Sequence, residues 1–173
     1  SRSKEFAKTT ALVLAENGIK SYLFKDIRPT PELSYTIRKL NTMSGIVVTA
    51  SHNPKDYNGY KVYWEEGSQI LSDIATEVTE QIANIKDYST VKEMDEQEAK
   101  DKDLLVMIGK EIDDDYIEEV KALSLRDDID KDIKIVYTPL NGTGNKPVRR
   151  VLDVRGFKTV SVVPEQENRD PEF

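Results

Sequence analysis

Apolar residues along this chain switch repeatedly between a helical period and short unbroken runs. That switching restricts the fold to alternating helices and strands packed in layers. Ala7, Ala11, Leu14 and Ala15 keep helical spacing and Gly18 supplies a stop, which predicts a helix over residues 4–17. Ile19 to Phe24 reads as a strand, Pro29-Thr30-Pro31 as a stiff turn, and Leu33, Ile37 and Leu40 as one face of a second helix. Gly45 to Ala50 lacks alternation, the pattern of a parallel strand covered on both faces. Tyr60 to Trp64 reads as a further strand, with Gly67 turning the chain. Ile74, Val78, Ile82 and Ile85 then predict a helix facing a core.

From Asp87 to Asp103 the sequence is polar and acidic without a period, and it reads as a surface connection carrying the domain edge. Beyond it, Leu104 to Ile108 is an apolar run of undetermined type. Ile112, Tyr116, Val120 and Leu123 predict a helix whose first turn carries Asp113, Asp114 and Asp115, favourable against the helix dipole. A strand at Ile133–Tyr137, a loop at Pro139–Asn145, a helix with Val148, Val151 and Leu152 inward, and a strand at Thr159–Val163 complete a second unit. The expectation is an α/β fold of two consecutive mixed-sheet βαβ-type units with helices on both faces, divided as residues 1–103 and 104–173. No short-period repeat or low-complexity tract interrupts it.

Composition narrows the function. With a net charge of −7 and a pI near 4.9, broad binding to nucleic acid or an anionic membrane is disfavoured. A phosphorylated ligand therefore requires local positive charge or a metal. The absence of cysteine removes disulfides, thiolate catalysis and zinc–sulfur sites, and suits a reducing cytoplasm. No apolar run approaches the ~20 residues that cross a bilayer. The abrupt ends, Ser1-Arg2-Ser3-Lys4 and Pro171-Glu172-Phe173, suggest a piece of something longer.

Chemistry concentrates at one place. The run Thr49-Ala50-Ser51-His52-Asn53-Pro54, followed by Asn58-Gly59-Tyr60-Lys61, delivers a hydroxyl, an imidazole, an amide and an ammonium directly after an apolar strand. Serine is a poor nucleophile without a base, a metal or a preformed covalent state, and adjacency of Ser51 and His52 does not make them a pair. A phosphorylated Ser51 escapes that difficulty. It would carry about −1.5 to −2 charges, which His52 and Lys61 could stabilise. Pro54 restricts Asn53 to extended conformations, and Asn58-Gly59 is a turn signal that returns the chain so that Lys61 faces the loop. The plainer alternative is a polar strand end with Ser51 capping a helix and His52 on the surface.

The string TASHNP…NGYK resembles the phosphoserine loop of the α-D-phosphohexomutase family, the phosphoglucomutases and phosphomannomutases. Ser3–Ala7, Pro29–Leu33, Gly45–Pro54, Asn58–Gly67, Tyr137–Asn145 and Val163–Gln166 follow in family order, so the resemblance covers nearly the whole chain. It implies a reversible mutase working through a phosphoenzyme and a glucose 1,6-bisphosphate intermediate, most like the bacterial α-phosphoglucomutase and phosphopentomutase-like branch. Glucose 1-phosphate and glucose 6-phosphate are the implied substrates, with mannose or pentose phosphate as alternatives and a non-catalytic binding fragment as the alternative of another class. The residue matching Ser51 carries the phosphoryl group, Lys61 assists proton transfer or charge stabilisation, and His52 contacts phosphate or sugar. Thr49, Asn53 and Asn58 shape the phosphate loop. Mg²⁺ would bind the Ser51 phosphate and three aspartates.

The family's D-G-D-x-D-R metal loop and G-E-x-S-G sugar loop have no match in this sequence. The chain thus corresponds to most of the first of four family domains, less its opening strand, plus part of the second. The remaining ligands are expected from missing domains of the same polypeptide, and the piece alone is expected to show negligible turnover. Three other signals receive structural readings. Asn141–Asn145 reads as a tight strand-to-helix turn rather than a phosphate nest, Arg149-Arg150 as a solvated face, and the acidic run 111–119 as a solvated helix start. Tyr60, Tyr63 and Trp64 are explained by packing at least as well as by sugar stacking.

Overall fold

The computed structural model describes residues 2–51, 53–54 and 56–170. Among the described residues, six helices and six strands follow in the order α1 (Ser3–Glu16), β1 (Ser21–Phe24), α2 (Thr30–Lys39), β2 (Ser44–Thr49), β3 (Gly59–Trp64), α3 (Ser72–Asn84), α4 (Glu96–Asp101), β4 (Leu105–Ile108), α5 (Lys110–Ala122), β5 (Ile135–Tyr137), α6 (Asn145–Val154) and β6 (Val160–Val162). Short 3-10 turns occupy Tyr88–Thr90 and Pro164–Gln166. The fold is α/β.

Local chemistry sets the helix boundaries. α1 stops where Gly18 enters the left-handed region at φ 74°, and Gly18 N donates to Ala15 O while Ile19 N donates to Leu14 O. These two bonds close a Schellman cap and satisfy carbonyls the helix leaves unpaired. Asn41 plays the same part after α2, with φ 49° and Thr42 N donating to Ile37 O. The proline-rich turn before α2 needs no side-chain cap. Pro29 is extended at ψ 149°, and a proline in the first turn lacks the N–H that would be unpaired there.

Strands pair two by two. β1 runs parallel to β4, with Ser21 opposite Leu105 and Phe24 opposite Ile108. β5 runs parallel to β6 across α6, the second unit expected from the sequence. β2, expected to be a parallel strand, is antiparallel to β3 in a hairpin that sets Ser44 opposite Trp64 and Thr49 opposite Gly59. Its unbroken apolar character comes from close packing against α2. A β-carbon at Gly45 would stand 2.4 Å from Ile37 Cδ1.

The core is small. Ala11, Leu12 and Ala15 of α1 pack with Met94, Ala99 and Leu105, and Leu23, Leu104 and Met107 close over them. Segment 87–103 is therefore more than a surface connection. Its α4 starts at Asp95, whose carboxylate accepts from Gln97 N and Glu98 N, and Met94 N donates to the Leu12 carbonyl. The stripe on α3 differs from expectation in the other direction. No α3 residue is buried, and Val78 and Ile82 stand exposed. Among the described residues no helix is long and apolar enough to cross a membrane.

Candidate active site

The carboxyl end of β2 opens into a loop built from two tight turns. Ala50 O accepts from Asn53 N at 2.9 Å, and Pro54 O accepts from Tyr57 N at 2.9 Å. Thr49 Oγ1 accepts from Ser51 N at 3.0 Å, so the threonine braces the backbone that carries the serine. Ser51 itself is exposed and held at φ 57°, a left-handed conformation that costs a non-glycine residue about 1 kcal/mol. A serine projected from a strained bend at a strand end is one way proteins present a reactive hydroxyl. Asn53 is exposed in the loop and Asn58 half-buried at its return. His52 lies outside the described residues.

The hairpin then fixes where Lys61 stands. It pairs with Val47, and opposed residues of an antiparallel pair share a face, so Lys61 lies on the same face as Thr49. Two residues separate Val47 from Thr49, roughly 7 Å along the strand. That places the half-buried lysine at the level of the strand end, below the serine loop. At the mouth the backbones nearly touch, since a β-carbon on Gly59 would lie 3.1 Å from Thr49 O. Tyr63, opposite Gly45, is buried, whereas Tyr60 is exposed. Packing accounts for the first of these rings only.

A second concentration of charge was not singled out from the sequence. A cavity of about 310 Å³ opens beyond the carboxyl ends of β1, β4, β5 and β6, bordered by Arg28, Glu32, Asp113, Tyr116, Arg150 and Arg169. Among the described residues of the serine loop, Thr49, Ser51, Asn53, Asn58 and Lys61 do not border it. Arg28 donates Nε and Nη2 to the Asp113 carboxylate at 2.6 and 2.8 Å. Arg169 bonds both oxygens of Asp26, and Arg150 bonds Asp114. These pairs bind the loop after β1 to α5, α6 and the segment after β6. The acidic run is the largely solvated start of α5, as expected, and Arg149 is exposed, but Asp113, Asp114 and Arg150 are also drawn into ion pairs that the sequence did not show. The loop 138–145 is a turn, knitted to the segment after β6 by Asn141 N to Gln166 O, Asn141 Nδ2 to Asn168 O and Asn145 Nδ2 to Glu167 O.

Charge pairing separates the carboxyl groups. The Arg169 hydrogen bond holds Asp26 far below its ordinary value. Burial pushes Asp113 upward, but hydrogen bonds from Arg28 and Glu32 outweigh it and the net movement is down. Glu32 moves the opposite way, to about 8, chiefly by burial and then by its contact with Asp113. Among the described residues no group of three or more histidine, cysteine, aspartate or glutamate side chains is placed to hold a metal ion.

Comparison with known proteins places this arrangement. Residues 1–89 match the model of phosphoglucomutase/phosphomannomutase α/β/α domain I, and residues 114–173 match that of domain II. The chain belongs to the phosphoglucomutase/phosphomannomutase family. A phosphoglucomutase from Staphylococcus haemolyticus is 40% identical over 171 residues, which cover 99% of this chain and 31% of that protein. A phosphopentomutase from Pongo abelii is 34% identical over 99% of this chain and 28% of its own length. The crystal structure of a putative phosphomannomutase from Thermus thermophilus superposes with a TM-score of 0.73 at 26% identity, covering 98% of this chain and 36% of that one. The chain thus spans about a third of the length of the relatives it matches. The two matches take in both halves of the chain and most of the cavity residues, with Asp113 just outside the second.

Proposed function

We propose that this chain supplies the phosphoryl-carrying part of a phosphohexomutase that interconverts glucose 1-phosphate and glucose 6-phosphate. The observation that carries the reading is the exposed Ser51, held left-handed beyond β2 in the sequence TASHNP, with Lys61 returned to the same hairpin. In the transfer, a sugar hydroxyl attacks the phosphorus on Ser51. The P–O bond to the serine oxygen breaks as the bond to the sugar forms, and the proton lost by the sugar ends on the serine oxygen. The bisphosphate turns over in the site and returns its other phosphoryl group by the reverse step. Thr49 braces the serine backbone, and Asn53 and Asn58 shape the loop around it. Lys61 offsets charge on the moving phosphoryl group, as does His52.

A divalent cation such as Mg²⁺ suits phosphoryl transfer in general. The described residues offer it no carboxylate cluster, so the phosphate on Ser51 is its one contact proposed from this chain. We assign the other ligands, and the sugar-selecting contacts, to further domains of the same polypeptide. By the same reasoning the chain alone does not turn over, and glucose-phosphate interconversion by the purified 173-residue piece would contradict this.

The decisive test is phosphate mapping on the full-length polypeptide treated with glucose 1,6-bisphosphate. One phosphate on Ser51 is expected, abolished in Ser51→Ala, with transfer slowed but sugar-phosphate binding kept in Lys61→Ala. Phosphate on another residue overturns the assignment. A Ser51 that stays unlabelled while sugar phosphate binds makes the chain part of a non-catalytic binding protein. Mannose and pentose phosphates run beside glucose phosphate decide the substrate.

A further inference from the structure

Glu32 sits in the first turn of α2 with 2% of its surface exposed, and its Oε1 has no hydrogen-bond donor among the described residues. A buried carboxyl oxygen without a donor is costly if the group is ionised. The nearest cation is Arg28, with Nε 3.7 Å away, and that guanidinium is already committed. Nε and Nη2 serve Asp113, and Nη1 donates to Ile27 O. Arg150 also acts on Glu32 from α6, but it is bonded to Asp114. On the α5 side the Asp113 carboxyl converges on the same Arg28 Nε, at 2.6 Å against 3.7 Å for Glu32, and two carboxyl groups gathered at one guanidinium can bond to each other only with a proton between them.

The groups around the pair come from every adjoining element. They are Asp26 and Arg28 from the loop after β1, Asp113, Asp114 and Tyr116 from α5, Lys146 and Arg150 from α6, and Glu167 and Arg169 after β6. Every arginine and aspartate in this set has an opposite charge at hydrogen-bond distance. What the set lacks is one donor for Glu32, and a proton on Glu32 itself supplies the bond to Asp113 without unbalancing any pair.

We infer that a proton shared between Glu32 and Asp113 latches α2 to α5, and that its loss loosens the angle at which α5 and the β5–α6–β6 unit leave the β1–β4 sheet. The latch stands where α2 and α5 meet, beside the Tyr35 and Tyr116 rings, whose centroids are 5.4 Å apart with the planes tilted by 52°. In the closed form Glu32 keeps its proton up to about pH 8, against an ordinary value of 4.5. If opening returns Glu32 to that ordinary value, the ratio of closed to open forms falls about tenfold per pH unit between those limits. Asp113 remains ionised throughout, because Arg28 holds it down.

The chain has no cysteine, so two introduced ones can carry spin labels cleanly, at exposed Glu16 in α1 and exposed Lys158 before β6. A single narrow interlabel distance is expected at pH 5, with a second, broader population growing by pH 9. Glu32→Gln, which keeps the shape and offers an amide donor to Asp113, should hold the narrow distance at both pH values. In the unlabelled protein, the carboxyl carbon of Glu32 followed by NMR should titrate well above pH 6. The proposal fails if that carbon titrates near 4.5, if the distance is unchanged from pH 5 to 9, or if Glu32→Gln broadens as the parent does. Should Glu32→Gln not fold, the carbon titration and the parent's distances still decide.

Discussion

At the scale of single residues, the left-handed positions separate two uses of the same backbone strain. Gly18 and Asn41 spend it on ending helices, whereas Ser51 spends it on turning a hydroxyl out of a strand end. The helix-ending positions allow a clean measurement. Nothing lies within 4 Å of a β-carbon built on Gly18, so Gly18→Ala should lose only backbone preference, about 1 kcal/mol. Asn41→Gly should gain ~0.5 kcal/mol, because asparagine already tolerates this region and glycine tolerates it better. Urea midpoints of the two variants against the parent check both signs. Gly18 was legible as a stop because glycine before a new apolar run has few other meanings. Asn41 was not, since an asparagine between helix and strand reads equally well as ordinary solvent-facing turn. The candidate residues Thr49, Ser51 and Lys61 were drawn from two neighbouring stretches of sequence, whereas the bond from Ser51 N to Thr49 Oγ1 follows only from the fold.

At the scale of elements, the apolar run of β2 carried two possible meanings. Val47 and Val48 without polar alternation suggested helices on both faces, but the chain reverses through the turns closed at Asn53 and Tyr57, ahead of the expected Asn58-Gly59, and the strand pairs antiparallel. The discriminating residue was Gly45, which has no reason to sit in an ordinary strand unless another element approaches closely. Ile37 of α2 is that element. Gly45→Ala would press a methyl group against the Ile37 side chain at 2.4 Å and 2.7 Å, and Leu33 Cδ1 at 3.1 Å leaves little room to yield. A loss of about 1–3 kcal/mol is expected in chemical denaturation, with Ile37→Val in the same chain recovering part of it. No recovery would mean that α2 does not rest on β2 at this point. The α3 stripe shows the converse limit. Its spacing is that of an inward face, but spacing reports amphipathicity and not what lies opposite, and here Val78 and Ile82 remain exposed. Segment 87–103 hid a buried methionine and alanine because two inward residues among many charges make no period.

At the scale of the whole molecule, long-range charge pairs set how stability changes with pH, and none of them has a sequence signature. Asp26 finds Arg169 across 143 positions and Asp113 finds Arg28 across 85, so composition alone could not foresee either. Their carboxyls are held below the ordinary value of 3.8, so the stabilisation they give is present above that value and disappears as pH falls below it. Glu32 contributes with the opposite sign. Its native form retains a proton up to about pH 8 whereas the unfolded chain releases it near 4.5, so the stability tied to that proton is complete below 4.5 and is lost as pH rises toward 8. The two trends meet, and the thermal midpoint should peak between about pH 4 and 5 instead of near neutrality. From pH 5 to 8 it should drop by at least several degrees, because the folded chain must give up a proton that the unfolded chain has already lost. The net charge of −7 at neutral pH adds a self-repulsion in the same direction, and salt separates the two contributions. Raising ionic strength to ~0.5 M should flatten the part due to surface charge and leave the part due to buried Glu32. In Glu32→Gln the alkaline decline should persist only to the extent that salt removes it. A parent whose midpoint rises from pH 5 to 8 at that ionic strength would show that Glu32 is ionised in the folded chain.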